Sequence, residues 1–526
     1  MGNNGLKKAT PELRERYAKF GQEHVFKFVE KLSAEEQSNL VKQLEEVDVE
    51  RCKTLFEASV HPAGDDKDGN DDKISPVDPK EVASETAIQE NGEQWSQKAY
   101  ESMARGEVAF VVLSGGQGTR LGFSRAKGMY DIGLPSHKSL FQLMGERIRS
   151  LRRLVAEQTS TKESKVSIPW YIMTSPLNDA DTRSFFKENK YFGLGEKEVR
   201  FFPQGTLPCM TTDEGKFILE SKDKLAVAPD GNGGIYRAMD ANGVFADMDK
   251  RGVKLMHVTS VDNSLVQPAD PLFVGFCLAK DAQVGNKGCP KVSWDEKVGV
   301  MALKGGKPSV VEYSELDETL AKQTDESGQL LFRSGNICNH VFSIDFLRNV
   351  ALPALANTYH VAHKKIPYAN EDGEKTAPDS PNGIKLEMFI FDVFPHAERF
   401  AVFECDRKQE FAPVKNAPGT ATDSPDSARA MTYALHRGWL ESAGAKLSGD
   451  ADLACELSPL VSLRGEGLET FVKSAQSLTL PLHVRRAAES PAADTATKRE
   501  RISAQDAEIS VDHYVDPDGV NIYELK

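Results

Sequence analysis

The string LSGGQGTRLG at 113–122 carries the residue types best suited to binding phosphate. An apolar run at 108–113, of the kind that forms a strand buried on both faces, leads directly into Gly115, Gly116 and Gly118. Glycines at such a junction let backbone N–H groups approach phosphate closely, because a Cβ atom would collide with the ligand. The pattern therefore predicts a phosphate site on this loop.

Two common phosphate-binding motifs do not fit the loop. A Walker loop needs GxxxxGK[ST], and the residues at 122–125, GFSR, do not supply it. The dinucleotide fingerprint needs a glycine three residues after Gly118, but Leu121 stands there and the glycine comes at Gly122. A nicotinamide-dependent oxidoreductase is therefore disfavoured.

The loop, with Arg120 and the downstream Lys127, resembles that of the sugar nucleotidyltransferases, in which it holds a nucleoside triphosphate. Over about 103–416 the chain is similar to the eukaryotic UDP-N-acetylglucosamine pyrophosphorylases. The strings that carry the resemblance follow the family's order: GGQGTRLG, KGMYDIGLPSHKSLFQL, FFPQGTLPCM, APDGNGG, VDNSLVQPADP, EYSEL, SGNICNHVFS, NGIKLEMFIFD and FAPVKN. UDP-glucose enzymes of the superfamily carry a different glycine loop, which favours the N-acetylglucosamine branch.

The resemblance implies a nucleotidyltransferase of UDP-N-acetylglucosamine biosynthesis. UTP and N-acetylglucosamine 1-phosphate would give UDP-N-acetylglucosamine and pyrophosphate, with Mg²⁺ as cofactor. The sugar phosphate oxygen is the nucleophile, so the enzyme must position two anions for in-line attack and neutralise their charge. Arg120 and Lys127 are expected to act on the departing pyrophosphate. The resemblance assigns the triphosphate to Lys385 and the sugar phosphate to Lys415, the third catalytic cation.

Asp262 follows the apolar run at 255–261, and ligands of open α/β folds bind outside the carboxyl ends of parallel strands. A carboxylate there suits Mg²⁺, which takes one or two protein carboxylates together with phosphate oxygens. The resemblance implies that Asp262 contacts both metal and nucleotide. An aspartate that caps a turn is the alternative.

The resemblance also assigns the substrate contacts. On the nucleotide side, with Gln204 reading the base and Gly231 beside the uracil, they are Leu113, Ser114, Gly115, Gly116, Lys127, Gln204, Gly231, Asp262 and Lys385. On the sugar side they are Asn232, Gly299, Glu312, Tyr313, Asn336, Phe389, Phe391 and Lys415. The two phenylalanines would wall the acetamide pocket, on one face if their stretch is a strand. The stretch could also be a helix, and both rings could be core.

Composition narrows the class of protein further. The 526 residues carry 79 acidic and 65 basic side chains, a net charge of −14, which disfavours a general nucleic-acid-binding surface. No apolar run approaches the roughly 20 residues that span a bilayer, and no apolar h-region follows the N-terminus. The seven cysteines form no CxxC pair, as expected in a reducing cytosol. We expect a cytoplasmic protein with neither nucleic acid nor membrane as partner.

Short apolar runs alternate with amphipathic stretches in the middle of the chain, which predicts an α/β fold. The expected architecture is a Rossmann-like, mixed, mostly parallel sheet flanked by helices, with a helical N-terminal extension and a small α+β C-terminal domain. The predicted domains are 1–102, including a solvated loop at 61–90, then 103–418 with the catalytic site, and 419–526. Predicted strands are 108–113, 168–173, 199–202 and 255–261, a hairpin joins 298–303 to 309–313, and helices cover 139–158 and 428–443.

Two other functions remain open from the sequence. A UDP-sugar-binding regulator could keep the nucleotide pocket without turnover, although it would not need Lys127, Asp262 and Lys415 together. A pyrophosphorylase could also prefer another sugar 1-phosphate, with N-acetylgalactosamine or glucose.

Overall fold

A mixed sheet forms the centre of the protein in the computed structural model, which describes residues 7–60, 73–475, 477–489, 500–502 and 510–526. Neighbouring strands along its main path are, in order, Val82–Ala83, Phe400–Glu404, Val284–Pro290, Ser334–Ser343, Leu255–Ser260, Val108–Leu113, Trp170–Thr174 and Val199–Pro203. Only Ser334–Ser343 runs antiparallel to its neighbours on this path. The predicted Rossmann-like, mostly parallel sheet is confirmed.

The order of the strands places a topological switch point next to Val108–Leu113. From this strand the chain moves outward to Trp170–Thr174 and Val199–Pro203, and then returns to the other side as Leu255–Ser260. Val108–Leu113 and Leu255–Ser260 pair in parallel along their full length. Their carboxyl ends, where ligands of such sheets bind, therefore lie side by side.

Most predicted elements appear within two residues of their expected bounds. All six residues of Val108–Leu113 are buried, as its lack of polar alternation indicates. The α-helices of seven residues or more within the described ranges are Pro11–Lys19, Ala34–Glu46, Val49–Val60, Glu85–Ala104, Leu140–Thr159, Asp179–Glu188, Ile235–Ala241, Val244–Arg251, Pro271–Ala279, Pro425–Ser442 and Leu468–Ala475. The hairpin joins Val300–Lys304 to Lys307–Val311. Helix Pro425–Ser442 begins three residues early, because Ser424 caps it and proline occupies its first position.

Two expectations near the N-terminus are wrong. The apolar spacing at 25–32 predicts an α-helix, but the chain forms the 3₁₀ turns Glu23–Phe26 and Val29–Lys31. Four apolar residues at 25, 26, 28 and 29 are buried there, more than the stripe of one helix accommodates.

The prediction of a solvated loop at 61–90 is also wrong from residue 74 onward. Residues 61–72 lie outside the described part of the chain. Ile74–Ser75 pairs with 303–304, and Val82–Ala83 adds a strand beside Phe400–Glu404. Helix Glu85–Ala104 then begins, capped by Ser84. The open edge of the sheet supplies backbone partners that composition does not reveal.

The C-terminal part has a sheet of its own, with the strand order Cys455–Leu457, Leu482–Arg486, Asn521–Leu525, Val511–Val515 and Glu500–Ile502. A separate hydrophobic cluster joins it to helices Pro425–Ser442 and Leu468–Ala475. This is the expected α+β character. The division at 102 and 418 stays a prediction, and its first boundary falls inside helix Glu85–Ala104.

Helix Glu85–Ala104 packs closely along Pro271–Ala279 on the central sheet. A Cβ atom added to Gly275 would lie 1.8 Å from the backbone oxygen of Trp95. Among the described residues, no helix combines the length and the apolar character needed to cross a bilayer.

We expect Gly275→Ala to lower the free energy of unfolding by about 1–3 kcal/mol, because the two helices must move apart. Thermal denaturation followed by circular dichroism measures the change. Gly438→Ala is the matched control, since a Cβ there meets no atom within 4 Å and alanine favours the helix. Equal melting temperatures for the two variants would contradict the prediction.

Candidate functional site

The glycine loop begins directly at the switch point. The backbone N–H of Ser114 donates to the carbonyl of Met173 at 2.8 Å, which fixes the end of the strand. A Cβ on Gly115 would lie 2.2 Å from Oε1 of Gln204, so the amide predicted to read the base packs against the loop. A Cβ on Gly116 would meet no protein atom within 4 Å. The loop therefore presents backbone to open space at Gly116.

The three cations predicted for catalysis and the carboxylate predicted to bind Mg²⁺ come together beside this loop. Lys127 Nζ lies 3.9 Å from Asp262 Oδ2, with both side chains mostly buried. Burial lowers the pKa of Lys127, the Asp262 carboxylate opposes this, and the cations Lys415 and Arg120 lower that pKa further. A cluster of three cations and one carboxylate is suited to hold phosphate groups.

Asp262 and Lys415 come from segments that are hydrogen-bonded to each other. The N–H of Val414 donates to the carbonyl of Asp262 at 2.9 Å. The ammonium of Lys415 is 3.9 Å from Asp423, and its side chain is 47% exposed. It is thus available to a ligand, whereas Lys127 forms part of the floor of the site.

The second glycine turn packs against the segment that carries the two phenylalanines. Gly231 has φ of 88°, and a Cβ there would lie 2.2 Å from the carbonyl oxygen of Met388. Asn232 Oδ1 accepts a hydrogen bond from the N–H of Ile390 at 3.0 Å. Phe389 and Phe391 stack with their ring centroids 5.1 Å apart and remain half-buried.

The conformation of this segment differs from both alternatives considered above. The strand Gly383–Glu387 ends before Phe389, and Phe391 lies in the 3₁₀ helix Ile390–His396. The capping contact between the N–H of Phe389 and the carboxylate of Asp392 starts that helix. The half-buried stacked rings favour a pocket wall over a position in the core.

Three of the predicted sugar contacts are neighbours. The N–H of Asn336 donates to the carbonyl of Gly299 at 2.8 Å, and a Cβ on Gly299 would lie 3.0 Å from Glu312 Oε1. Burial, and then the nearby Glu315, raise the pKa of Glu312. The adjacent Tyr313 is half exposed. These groups can accept and donate hydrogen bonds to hydroxyls.

Lys385 is not brought into the group around Lys127. It lies on strand Gly383–Glu387, where its charge opposes the rise in the pKa of Cys209, to about 11, that burial causes. Its assignment to the triphosphate stays a prediction.

Sequence reasoning missed Asn178 and Asp230. The side-chain amide of Asn178 donates to the carbonyls of Ser114 and Gly115 at 3.1 and 3.3 Å, and so orients the glycine loop. Its only signal was a position shortly after the second strand. Asp230 stands within PDGNGG and could have been found there.

Asp230 is 5% exposed and joins the two nucleotide-side turns. Its carboxylate is so close to Gly205 and Gly234 that a Cβ on either would lie 2.6 or 2.1 Å away. Oδ1 has no hydrogen-bond partner among the described residues. Burial raises the pKa of Asp230 to about 7, although its own N–H, Arg51 and Arg237 oppose the rise.

The surroundings of Asp262 fit a Mg²⁺ ion bound mainly by phosphate. Within the described ranges its carboxylate accepts no hydrogen bond, and Lys127 is its only ion-pair partner, so its oxygens can bind a cation. The same part of the chain holds no group of three or more His, Cys, Asp or Glu side chains arranged for a metal. A single carboxylate with phosphate oxygens is a common way to hold Mg²⁺.

The raised pKa of Asp230 has a consequence for stability. Because its folded pKa is about 7 and its ordinary value 3.8, ionisation of Asp230 opposes folding increasingly as the pH rises through this range. We expect Asp230→Asn to gain melting temperature relative to wild type between pH 5 and 8. Melting curves across this range test it, with exposed Asp240→Asn as control. A constant difference between Asp230→Asn and wild type would be the contrary result.

Gly116 gives a direct test of phosphate binding at the loop. Because a Cβ there meets no protein atom within 4 Å, Gly116→Ala should leave the melting temperature unchanged. We expect about tenfold or weaker binding of UTP by calorimetry, since the methyl group would meet the phosphate. Unchanged affinity would place the phosphates elsewhere.

Comparisons with known proteins find relatives over most of the chain. The family model described as UTP--glucose-1-phosphate uridylyltransferase matches residues 49–468. UDP-N-acetylglucosamine diphosphorylase 2 of Arabidopsis thaliana is 43% identical over 471 residues, 88% of this chain and 91% of the relative. UDP-N-acetylhexosamine pyrophosphorylase-like protein 1 of Xenopus tropicalis is 42% identical over 494 residues, 89% and 95% of the two chains.

A solved structure shows the same fold over nearly the whole chain. The UDP-N-acetylglucosamine pyrophosphorylase of Trypanosoma brucei, crystallised with an inhibitor, superposes with a TM-score of 0.77 at 29% identity. The match covers 91% of this chain and 99% of that one. The sequence and structural matches together show that the chain belongs to the UDP-N-acetylglucosamine pyrophosphorylases, within the wider uridylyltransferase family.

Proposed function

We propose that this chain transfers a uridylyl group from UTP to N-acetylglucosamine 1-phosphate and releases pyrophosphate. The observation that carries the proposal is the convergence of Arg120, Lys127, Asp262 and Lys415 beside a glycine loop at the switch point of the sheet. The names of the Arabidopsis and Trypanosoma relatives support the same reaction.

The nucleotide half of the site consists of the glycine loop and the side chains beside it. Gln204, held against Gly115, offers its amide to the uracil, and backbone N–H groups around Gly116 receive phosphate oxygens. Lys127 and Arg120 neutralise the charge that grows on the leaving pyrophosphate. These groups stand in place before the reaction, which is how fixed charges lower a barrier.

Asp262 would hold Mg²⁺ together with phosphate oxygens of UTP. When bound, the ion would withdraw charge from the reacting phosphate and help to align it. The chain's own contribution is the orientation of Asp262, which its backbone hydrogen bond with Val414 fixes.

The sugar half presents a second charged group to the acceptor. Lys415, with its exposed ammonium, binds the phosphate of the sugar and brings its oxygen towards the α-phosphorus. Asn336 and Glu312 read hydroxyl groups, and the stacked Phe389 and Phe391 line the space for the acetamide methyl. No protein nucleophile is required.

The reaction is tested by measuring pyrophosphate release from UTP, N-acetylglucosamine 1-phosphate and MgCl₂. Release that depends on all three supports the proposal. Binding of UDP-N-acetylglucosamine without any release would instead identify a UDP-sugar-binding regulator.

A wider choice of acceptor is the second candidate, because the Xenopus relative is named for N-acetylhexosamine. Competition between the 1-phosphates of N-acetylglucosamine, N-acetylgalactosamine and glucose in one reaction mixture decides it. A ratio of kcat/KM near one for the first two would show that the pocket does not distinguish them.

The free state of all seven cysteines supports a cytoplasmic location. Fractionation of cells that express the chain tests this part of the proposal.

We expect Lys127→Ala and Lys415→Ala each to lower kcat by about 10²- to 10³-fold, because each removes one preorganised cation from the transition state. Steady-state kinetics and melting temperatures, measured together, separate this loss from unfolding. Exposed Lys280→Ala is the matched control. Normal turnover in either site variant would remove that lysine from the mechanism.

A further inference from the structure

A fully buried lysine lies outside the site described above. Lys287, on strand Val284–Pro290, is 0% exposed, and its ammonium lies 2.5 Å from carboxylate oxygens of both Asp270 and Glu410. Arg464, from the C-terminal part of the chain, places Nη1 2.7 Å from the other oxygen of Asp270. We call these four residues the buried charge group; their two positive and two negative charges balance.

The two carboxylates of this group belong to the segments that carry the charges of the active site. Asp270 ends the segment that begins with Asp262, and Glu410 begins the segment that ends with Lys415. Lys287 therefore joins the far ends of both segments.

Hydrogen bonds connect the same two segments between these ends. The side-chain amide of Asn263 donates to the carbonyl of Glu410 at 2.7 Å and accepts from the N–H of Ala412 at 2.9 Å. The N–H of Val414 donates to the carbonyl of Asp262. A displacement of Glu410 would thus be passed directly to Asp262.

We propose that Lys287 is a positioning residue for catalysis: by pairing Asp270 with Glu410, it fixes the separation of Asp262 and Lys415. The inference rests on the proposed function, because that function gives Asp262 and Lys415 their roles. Neither the resemblance nor the comparisons assign any part to Lys287.

Stability alone is a weak reason for this arrangement. Removing charges from water costs several kcal/mol per ion, and well-packed apolar side chains in place of a buried ion pair are often neutral or stabilising. Lys287 also lies over the rings of Phe273 and Phe403, at 5.3 and 5.2 Å. The ion pairs of Lys287 instead hold the segments that contain Asp270 and Glu410 at a fixed distance from each other.

Loss of the ammonium would leave the carboxylates of Asp270 and Glu410 in a low-dielectric interior with Arg464, which pairs with Asp270, as the one remaining cation of the buried charge group. Two neighbouring buried carboxylates cannot both remain ionised without an energetic cost, so Asp270 and Glu410 would move apart or one of them would take up a proton. Separation would move Glu410 and, through Asn263, the catalytic pair.

Other titratable groups lie around the buried charge group, and their titration is distinct from the repulsion between Asp270 and Glu410. Burial lowers the pKa of His257 to about 4 and raises the pKa of Tyr100 and of the nearby thiols. Glu466 is held by the backbone N–H groups of Leu463 and Arg464. The titratable groups that surround the buried charge group are Tyr100, His257, Cys277, Cys289, Cys405 and Glu466.

We expect Lys287→Met to lower kcat by about 10- to 100-fold at pH 8, as for other residues that orient a metal-site ligand. The ratio of its kcat to that of wild type should rise as the pH falls towards about 6, when one carboxylate takes up a proton. Adding Glu410→Gln, which removes the repulsion but leaves the two segments unpaired, should recover part of the loss. Arg251→Met, which breaks the half-buried pair with Asp247, is the matched control and should keep wild-type kcat.

Calorimetry gives a readout that does not require turnover. In Lys287→Met the affinity for UTP should fall about tenfold with MgCl₂ present. It should stay within about twofold of wild type without the metal, because Gln204 and Gly116 are untouched. A merely destabilising substitution would not separate the two conditions.

Three outcomes would overturn the inference: wild-type kcat in Lys287→Met, equal UTP affinity loss with and without MgCl₂, or no recovery in the double variant. If Lys287→Met does not fold, Glu410→Leu removes the ion pair between Lys287 and Glu410 by changing the other partner. Wild-type kcat in Glu410→Leu would also overturn the inference. If the wild-type chain itself releases no pyrophosphate, the proposed reaction fails, and the metal-dependent part of UTP binding still decides the role of Lys287.

Discussion

The parallel pairing of Val108–Leu113 with Leu255–Ser260 is the interaction on which the site depends. It places the glycine loop and Asp262 at neighbouring carboxyl ends, where a ligand can contact backbone N–H groups and a carboxylate at once. All other parts of the site are fixed relative to this pair. Gln204 packs on the loop from one side, and the segment ending at Lys415 binds the backbone of Asp262 from the other.

The sequence predicted those parts that depend on local pattern. The strand at 108–113 and the helix at 139–158 follow from uninterrupted or 3.6-residue apolar spacing, and both were confirmed. The family resemblance supplied the residues of the site, and the structure brings Arg120, Lys127, Asp262 and Lys415 together. Their roles stay predictions, since position alone does not show what a side chain binds.

What could not be predicted depends on partners distant in the chain. Val82–Ala83 becomes a strand only because Phe400–Glu404 leaves an edge to pair with, and its own composition reads as a loop. The conformation at Phe389 is set by its contact with Asp392 and by the packing of Met388 on Gly231. Lys287 gave no sequence signal, because a lone lysine in a strand looks the same whether it is exposed or joined to two buried carboxylates.

The protein carries a net charge of −14, yet it gathers Arg120, Lys127 and Lys415 around one carboxylate. Burial lowers the pKa of Lys127 most, the Asp262 carboxylate opposes this, and repulsion from Lys415 and Arg120 lowers that pKa further. The surrounding fold positions the segments that carry these cations through close glycine packing on one side and backbone hydrogen bonds on the other. A polyphosphate ligand would offset the repulsion among the three cations, so part of its binding free energy would come from charge compensation. Such a site favours the most highly charged state along the reaction, because there the three cations are best compensated. Under the proposed function, this charge pattern would favour the separating pyrophosphate over the intact triphosphate.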